Sequence, residues 1–236
     1  QGCIDEVIMG GSIRCLGNAA AGRELEGFPM KALEAKRVLV VGGGPAGMES
    51  ARVCAIRGHD VLLIEKEAQL GGRLRMAARA PHKEEFANVA AYLESAILRA
   101  GVRVRRNEGR VKETCDEFRP QAVVFAAGAE PAVPSIPGIE HERVLKAEEV
   151  LSGKRETGQS VVVIGGGLVG LETSLFLAER GRTVTVVEMT DQAGVDAGPI
   201  MKGILSEETR KRGITVLTNS RATKATSAGI TILRGE

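Results

Sequence analysis

The chain has 236 residues, with 32 basic and 30 acidic side chains for a formal net charge of +2, 43% hydrophobic and 26% charged residues. At roughly 150 residues per domain, this is an ordinary globular composition for one large or two small domains, which argues against disorder and collagen-like structure. The balanced charge gives no broad basic field for nucleic acid, and no apolar run approaches the roughly 18 residues of a membrane helix.

Residues 1–33 show no clean period and are expected to form a loop-rich lead-in. Acid at Asp5 and Glu6, with no apolar stretch, is unlike a secretory signal. The chain starts at Gln1 rather than Met and stops just after a β-like run at 229–234, so it is expected to be a piece of a longer protein. Residues 37–41 are β-branched and apolar, as a buried parallel strand requires. Helical spacing of apolar residues predicts a helix over 45–57, stopped by Gly58. A strand over 61–64 closes at Glu65. A helix at 84–100, a strand at 102–105 and a buried strand at 122–126 follow. Three prolines in 130–138 mark a crossover. Then come a strand at 160–164, a helix at 168–180 capped by Gly181, and a strand at 183–187. A helix at 200–212 and a strand at 214–218 end the series. Alternating strands and helices predict an α/β class, with parallel sheets flanked by helices.

The chain contains a repeat. Residues 38–47 read VLVVGGGPAG and 161–170 read VVVIGGGLVG, an offset of 123. At that offset Gly42, Gly44 and Gly47 fall on Gly165, Gly167 and Gly170, Glu49 on Glu172, Gly58 on Gly181, and Glu65 on Glu188. Two copies of one strand–turn–helix–strand unit result, both Rossmann-like.

Glycine-rich turns are common, but here each has a strand before it, a helix after it and an acid at the end of the next strand. The first glycine permits the tight turn, the second a close approach of backbone to a pyrophosphate, the third close helix–strand packing. Pro45, Ala46, Leu168 and Val169 open the helices whose positive ends would hold that pyrophosphate. Glu65 and Glu188 are placed to accept hydrogen bonds from an adenosine ribose. The copies differ after the acid. The first continues with Lys66 and then Gly71, Gly72 and Arg73, and a later strand runs into Ala127 and Gly128. These features accompany flavin sites. The second continues with Met189, Thr190 and Asp191 and has no basic residue for a 2′-phosphate, so NAD(H) is expected over NADP(H).

The cysteines stand at 3, 15, 54 and 115, too few and scattered for a disulfide scaffold; a reducing cytoplasm fits best. No C-x-x-C pair supports a dithiol relay. Cys54 is expected on the sheet side of the first helix and Cys115 near a loop. For Cys3 and Cys15, ordinary thiols and metal ligands are balanced alternatives on spacing alone. Two thiolates do not complete a four-ligand site. No catalytic residue is named, because His59, His82 and His141 read as surface residues near turns.

Taken together, these residues resemble the NADH:flavin oxidoreductase family, which includes 2,4-dienoyl-CoA reductase, 2-enoate reductase and trimethylamine dehydrogenase. Gln1-Gly2-Cys3, eleven residues and Cys15 are similar to the end of its cluster motif. The resemblance implies a division into 1–34 with the end of an iron–sulfur motif, 35–150 for FAD or ADP, and 151–236 for NAD(H). It implies Cys3 and Cys15 as ligands of a [4Fe-4S] cluster, and Val111 as presenting its backbone to the flavin's adenine. It also implies an electron path from NADH through FAD and the cluster to FMN in a barrel missing from this chain. That barrel would reduce an enoate or enoyl substrate, leaving this chain inactive on it alone. The expected partners are therefore the barrel, small-molecule nucleotides and, at most, further copies of the chain. A structural ADP module of an amine-dehydrogenase-like enzyme and a glutamate-synthase-small-subunit-like reductase are the alternatives.

Overall fold

The computed structural model describes residues 2–27 and 29–235; Gln1, which opens the cluster-like motif, lies outside them. The chain clusters into two compact units: 14–78 with 83–130, and 1–13 with 79–82 and 131–236.

In the lead-in, residues expected to be loop form a short helix, α1 (Gly2–Ile8). The first glycine-loop unit contains β1 (Arg37–Val41), α2 (Pro45–Ile56), β2 (Asp60–Glu65), α3 (Arg73–Ala77), α4 (Phe86–Arg99), β3 (Arg103–Arg106), α5 (Val111–Phe118) and β4 (Ala122–Phe125). The strands form one parallel sheet in the order β3-β2-β1-β4, with Val38 opposite Val61 and Ala122. Alternate residues of β1 and β2 face opposite sides of the sheet. Val38, Val40, Val61 and Leu63 pack with Met48, Ala51, Leu93 and Ile97 of the helices. Leu39, Leu62 and Ile64 meet Val111, Cys115 and Phe118 from α5. A run apolar at every position is thus what burial on both faces demands.

Two expectations about this unit change. Of the expected 122–126, residues 122–125 do form a strand, but not a buried one: β4 is an edge of the sheet and Phe125 is 71% exposed. Cys115 lies within a helix, half-buried, rather than near a loop. Cys54 does pack on the sheet-side core of α2, and burial raises its thiol pKa against the opposing charge of Arg57.

The second unit contains α6 (Ala147–Leu151), β5 (Ser160–Ile164), α7 (Leu168–Ala178), β6 (Thr183–Val187), α8 (Pro199–Lys211), β7 (Thr215–Leu217), β8 (Ser220–Thr226) and β9 (Gly229–Arg234). The parallel order is β5-β6-β7; β8 and β9 form a separate antiparallel hairpin. The proline-rich crossover packs on that hairpin, where Ala225 N–H donates to the Pro137 carbonyl at 2.8 Å. Helix α1 is tied in through Asp5, whose buried Oδ1 accepts the Ile200 N–H at 3.0 Å at the start of α8. Among the described residues, no helix is long and apolar enough to cross a membrane.

Candidate functional site

Both glycine loops run from the end of a central strand into a helix. In each, the third glycine is a packing requirement. A Cβ on Gly47 would stand 1.9 Å from the Gly42 carbonyl oxygen, and one on Gly170 1.9 Å from that of Gly165. Gly42 and Gly165 hold φ of +107° and +98°, where an L side chain is strained. Gly44 is different: nothing lies within 4 Å of a Cβ built there, so its face of the loop is open to a ligand.

The acids at the strand ends first serve their own loops. The buried Glu65 Oε2 accepts the Gly43 N–H at 2.6 Å, and its Oε1 accepts the Glu67 N–H at 2.9 Å. Glu188 repeats this with Gly166 at 2.7 Å and Thr190 at 2.8 Å, and adds the Thr190 hydroxyl at 2.8 Å. Burial alone would raise the Glu188 pKa. The amides of Thr190 and Gly166, the Thr190 hydroxyl and the Met189 amide outweigh it and hold the carboxyl below its ordinary range. A carboxylate offers about four lone-pair positions, so each acid keeps acceptor capacity for a ribose hydroxyl.

Around the first loop, Leu70 to Gly72 fold back onto the glycines. Leu70 is buried, Gly71 N–H donates to the Gly43 carbonyl at 2.8 Å, and a Cβ on Gly72 would stand 3.2 Å from Gly44 Cα. Exposed Arg73 opens α3, and Lys66 is exposed beside Gly109. On the other side, the Ala126 carbonyl and Ala127 Cα crowd Gly42, while Gly128, at φ +80°, faces open space. Val111 opens α5, with its N–H on the Gly109 carbonyl at 3.0 Å. Pro45 and Ala46 form the first turn of α2, Leu168 and Val169 that of α7, and Val169 is exposed.

One residue of the second loop escaped the sequence reading. Asp196 Oδ1 accepts the Leu168 N–H at 2.8 Å, at the start of α7. The signal was present in the repeat. At the same offset Gly71 falls on Gly194, which donates to the Gly166 carbonyl at 2.7 Å as Gly71 does to Gly43.

Cys3 sits half-buried on α1, whereas exposed Cys15 belongs to the other compact unit. Among the described residues, no group of three or more His, Cys, Asp or Glu is arranged to hold a metal ion. His82 is exposed, and His59 and His141 are half-buried, accepting the amides of Lys36 and Arg143.

The residues present fit two dinucleotides. The first loop leaves a cradle at Gly44, and the second already holds an anion, the Asp196 carboxylate, at its helix end. Residues 36–235 match the family described as pyridine nucleotide-disulphide oxidoreductase. The chain is 41% identical to an NADH oxidase of Thermoanaerobacter brockii, over 97% of this chain and 36% of that protein. It is 40% identical to a cinnamate reductase of Clostridium sporogenes, over 85% of this chain and 30% of that one. Among solved structures, a 2-naphthoyl-CoA reductase superposes with a TM-score of 0.93 at 30% identity, over 100% of this chain and 36% of that one. The chain therefore spans about a third of the length of these relatives.

Proposed function

The chain belongs to the pyridine nucleotide-disulphide oxidoreductase family, and from that premise we propose that it is the nucleotide-binding electron-transfer part of a larger NADH-dependent flavin reductase. When bound, FAD and NAD(H), with a [4Fe-4S] cluster and FMN in the longer protein, supply the redox chemistry that delivers electrons to an enoate- or enoyl-type substrate. The protein supplies binding, orientation and electrostatics.

Residues 35–150 take FAD and residues 151–236 take NAD(H), with 1–34 leading in from a barrel. Gly42, Gly44 and Gly47 form the first loop, with Pro45 and Ala46 at its helix end. Glu65 anchors that loop and faces the ribose. Gly72, Arg73, Lys66, Ala127, Gly128 and Val111 surround the rest of the flavin nucleotide. Gly165, Gly167, Leu168, Val169, Gly170 and Glu188 do the same for NAD(H). Cys3 and Cys15 are two of the four cluster ligands, the others being supplied from upstream. The observation that carries this reading is the pair of loops, each tied by a glycine amide to the strand-end acid 22 positions on.

Denaturing the purified protein and identifying the released nucleotides tests the first site. Flavin absorbance and FAD are expected. Release of ADP alone would favour a structural ADP module. Failure to retain or rebind either would sink the assignment.

A further inference from the structure

We propose that Asp196 is a built-in competitor for the pyrophosphate at the second glycine loop, and that NADH binding requires its carboxylate to withdraw. The inference rests on reading residues 165–170 as the nicotinamide-dinucleotide loop.

Asp196 occupies the position that a phosphate would need. Its Oδ1 accepts the Leu168 N–H at 2.8 Å, at the first helical position of α7. Its two carboxylate oxygens lie 3.0 and 3.2 Å from the place a Cβ on Gly167 would take. The second glycine of a dinucleotide loop is the one that leaves room for pyrophosphate. At Gly44, its counterpart, that room is empty out to 4 Å; at Gly167 the Asp196 carboxylate stands in it.

The repeat shows that this is a property of the second loop alone. With Gly71 falling on Gly194, the offset of 123 also places Arg73 opposite Asp196 and Pro45 opposite Leu168. The first loop has proline, with no N–H, where the second has a donor. It has a cation where the second has an acid. Each difference favours an internal anion in the second copy and disfavours one in the first.

The surrounding chain lets the side chain leave. Gly194 is held to the Gly166 carbonyl at 2.7 Å, and Ile200 N–H is held by Asp5 at 3.0 Å. Between these anchors Val195 and Asp196 are exposed, so Asp196 can swing into water without uncovering core. Two anions cannot share the one positive helix end. Departure of the carboxylate therefore subtracts from NADH affinity, and Asp196 sets how tightly this loop holds a pyrophosphate.

The test is the binding of NADH, and of ADP-ribose, to wild type, Asp196→Asn and Asp196→Ser by calorimetry, with thermal melting of the same proteins. Both neutral variants should bind either ligand roughly fivefold more tightly, the size of one charge at a helix end. Without ligand both should melt below wild type, having lost an anion at the start of α7. The two variants give independent readings should one fail to fold. Unchanged or weaker binding by a folded variant overturns the inference and makes Asp196 an ordinary cap or a direct contact. Absence of binding in wild type and variants alike overturns the dinucleotide reading of the loop, and the inference falls with it.

Discussion

On the proposed reading of the second loop, Glu188 sets which nicotinamide dinucleotide is accepted, and replacing it should change that choice. The carboxylate directly follows β6, buried, with its pKa held below the ordinary range by the amides and the Thr190 hydroxyl that outweigh its burial, so it is charged at neutral pH. Met189 beside it is 69% exposed, and neither Thr190 nor Asp191 brings a cation. A 2′-phosphate of about −1.5 charge, about 5 Å away at an effective dielectric of roughly 40 to 80, is opposed by about 1–2.5 kcal/mol. That is roughly five- to seventyfold against NADPH. A charge-assisted hydrogen bond to the ribose is worth about 1.5–3 kcal/mol, so loss of the acid weakens NADH by roughly tenfold or more. Glu188→Ala with Met189→Arg should therefore narrow or reverse the preference. The assay is kcat/KM for NADH and NADPH with an artificial electron acceptor, in wild type and double variant of the full-length protein. An unchanged ratio refutes the role given to Glu188. A fall in both values together, with a lowered melting temperature, would show that its bonds to Gly166 and Thr190 are its whole contribution.

Two further outcomes follow from the same geometry. Gly47→Ala places a Cβ 1.9 Å from the Gly42 carbonyl, where backbone must move, and should cost about 1–3 kcal/mol or more in urea unfolding. Gly44→Ala meets nothing within 4 Å and should leave stability nearly unchanged while weakening FAD retention; equal stability losses in the two would contradict this division of labour. Because the folded pKa of Glu188 is depressed, its contribution to stability is present above the unfolded carboxylate pKa and is lost as pH falls through the lower folded value. Glu188→Gln should accordingly flatten the acid limb of a plot of unfolding free energy against pH, and an unaltered limb would count against it.

The two α/β units, their parallel strands and their glycine loops were legible in the amino-acid sequence. Those features are local: apolar β-branched runs, helical spacing, glycines at fixed intervals and an acid closing the next strand. The repeat added register, since chance rarely preserves special residues at one offset. What tertiary structure alone decided depends on partners far along the chain. Seven residues of α1 read as loop because so short a helix lacks a signal of its own; the Asp5 bond to Ile200, 195 positions away, ties it to α8. β8, SRATKAT, has no apolar alternation and is a strand because β9 pairs with it. β4 has the composition of a buried strand but lies at the sheet edge, since composition does not report what lies beyond the last ladder. The glutamates were read as ribose acceptors, yet their first bonds are to their own loops, a use that appears only when strand end and glycine amide meet. Asp196 was an unremarked acid in a polar loop until the fold carried it across 28 positions to the head of α7. Sequence spacing specifies a loop that can receive an anion; which anion stands there first is set by the chain that folds over it.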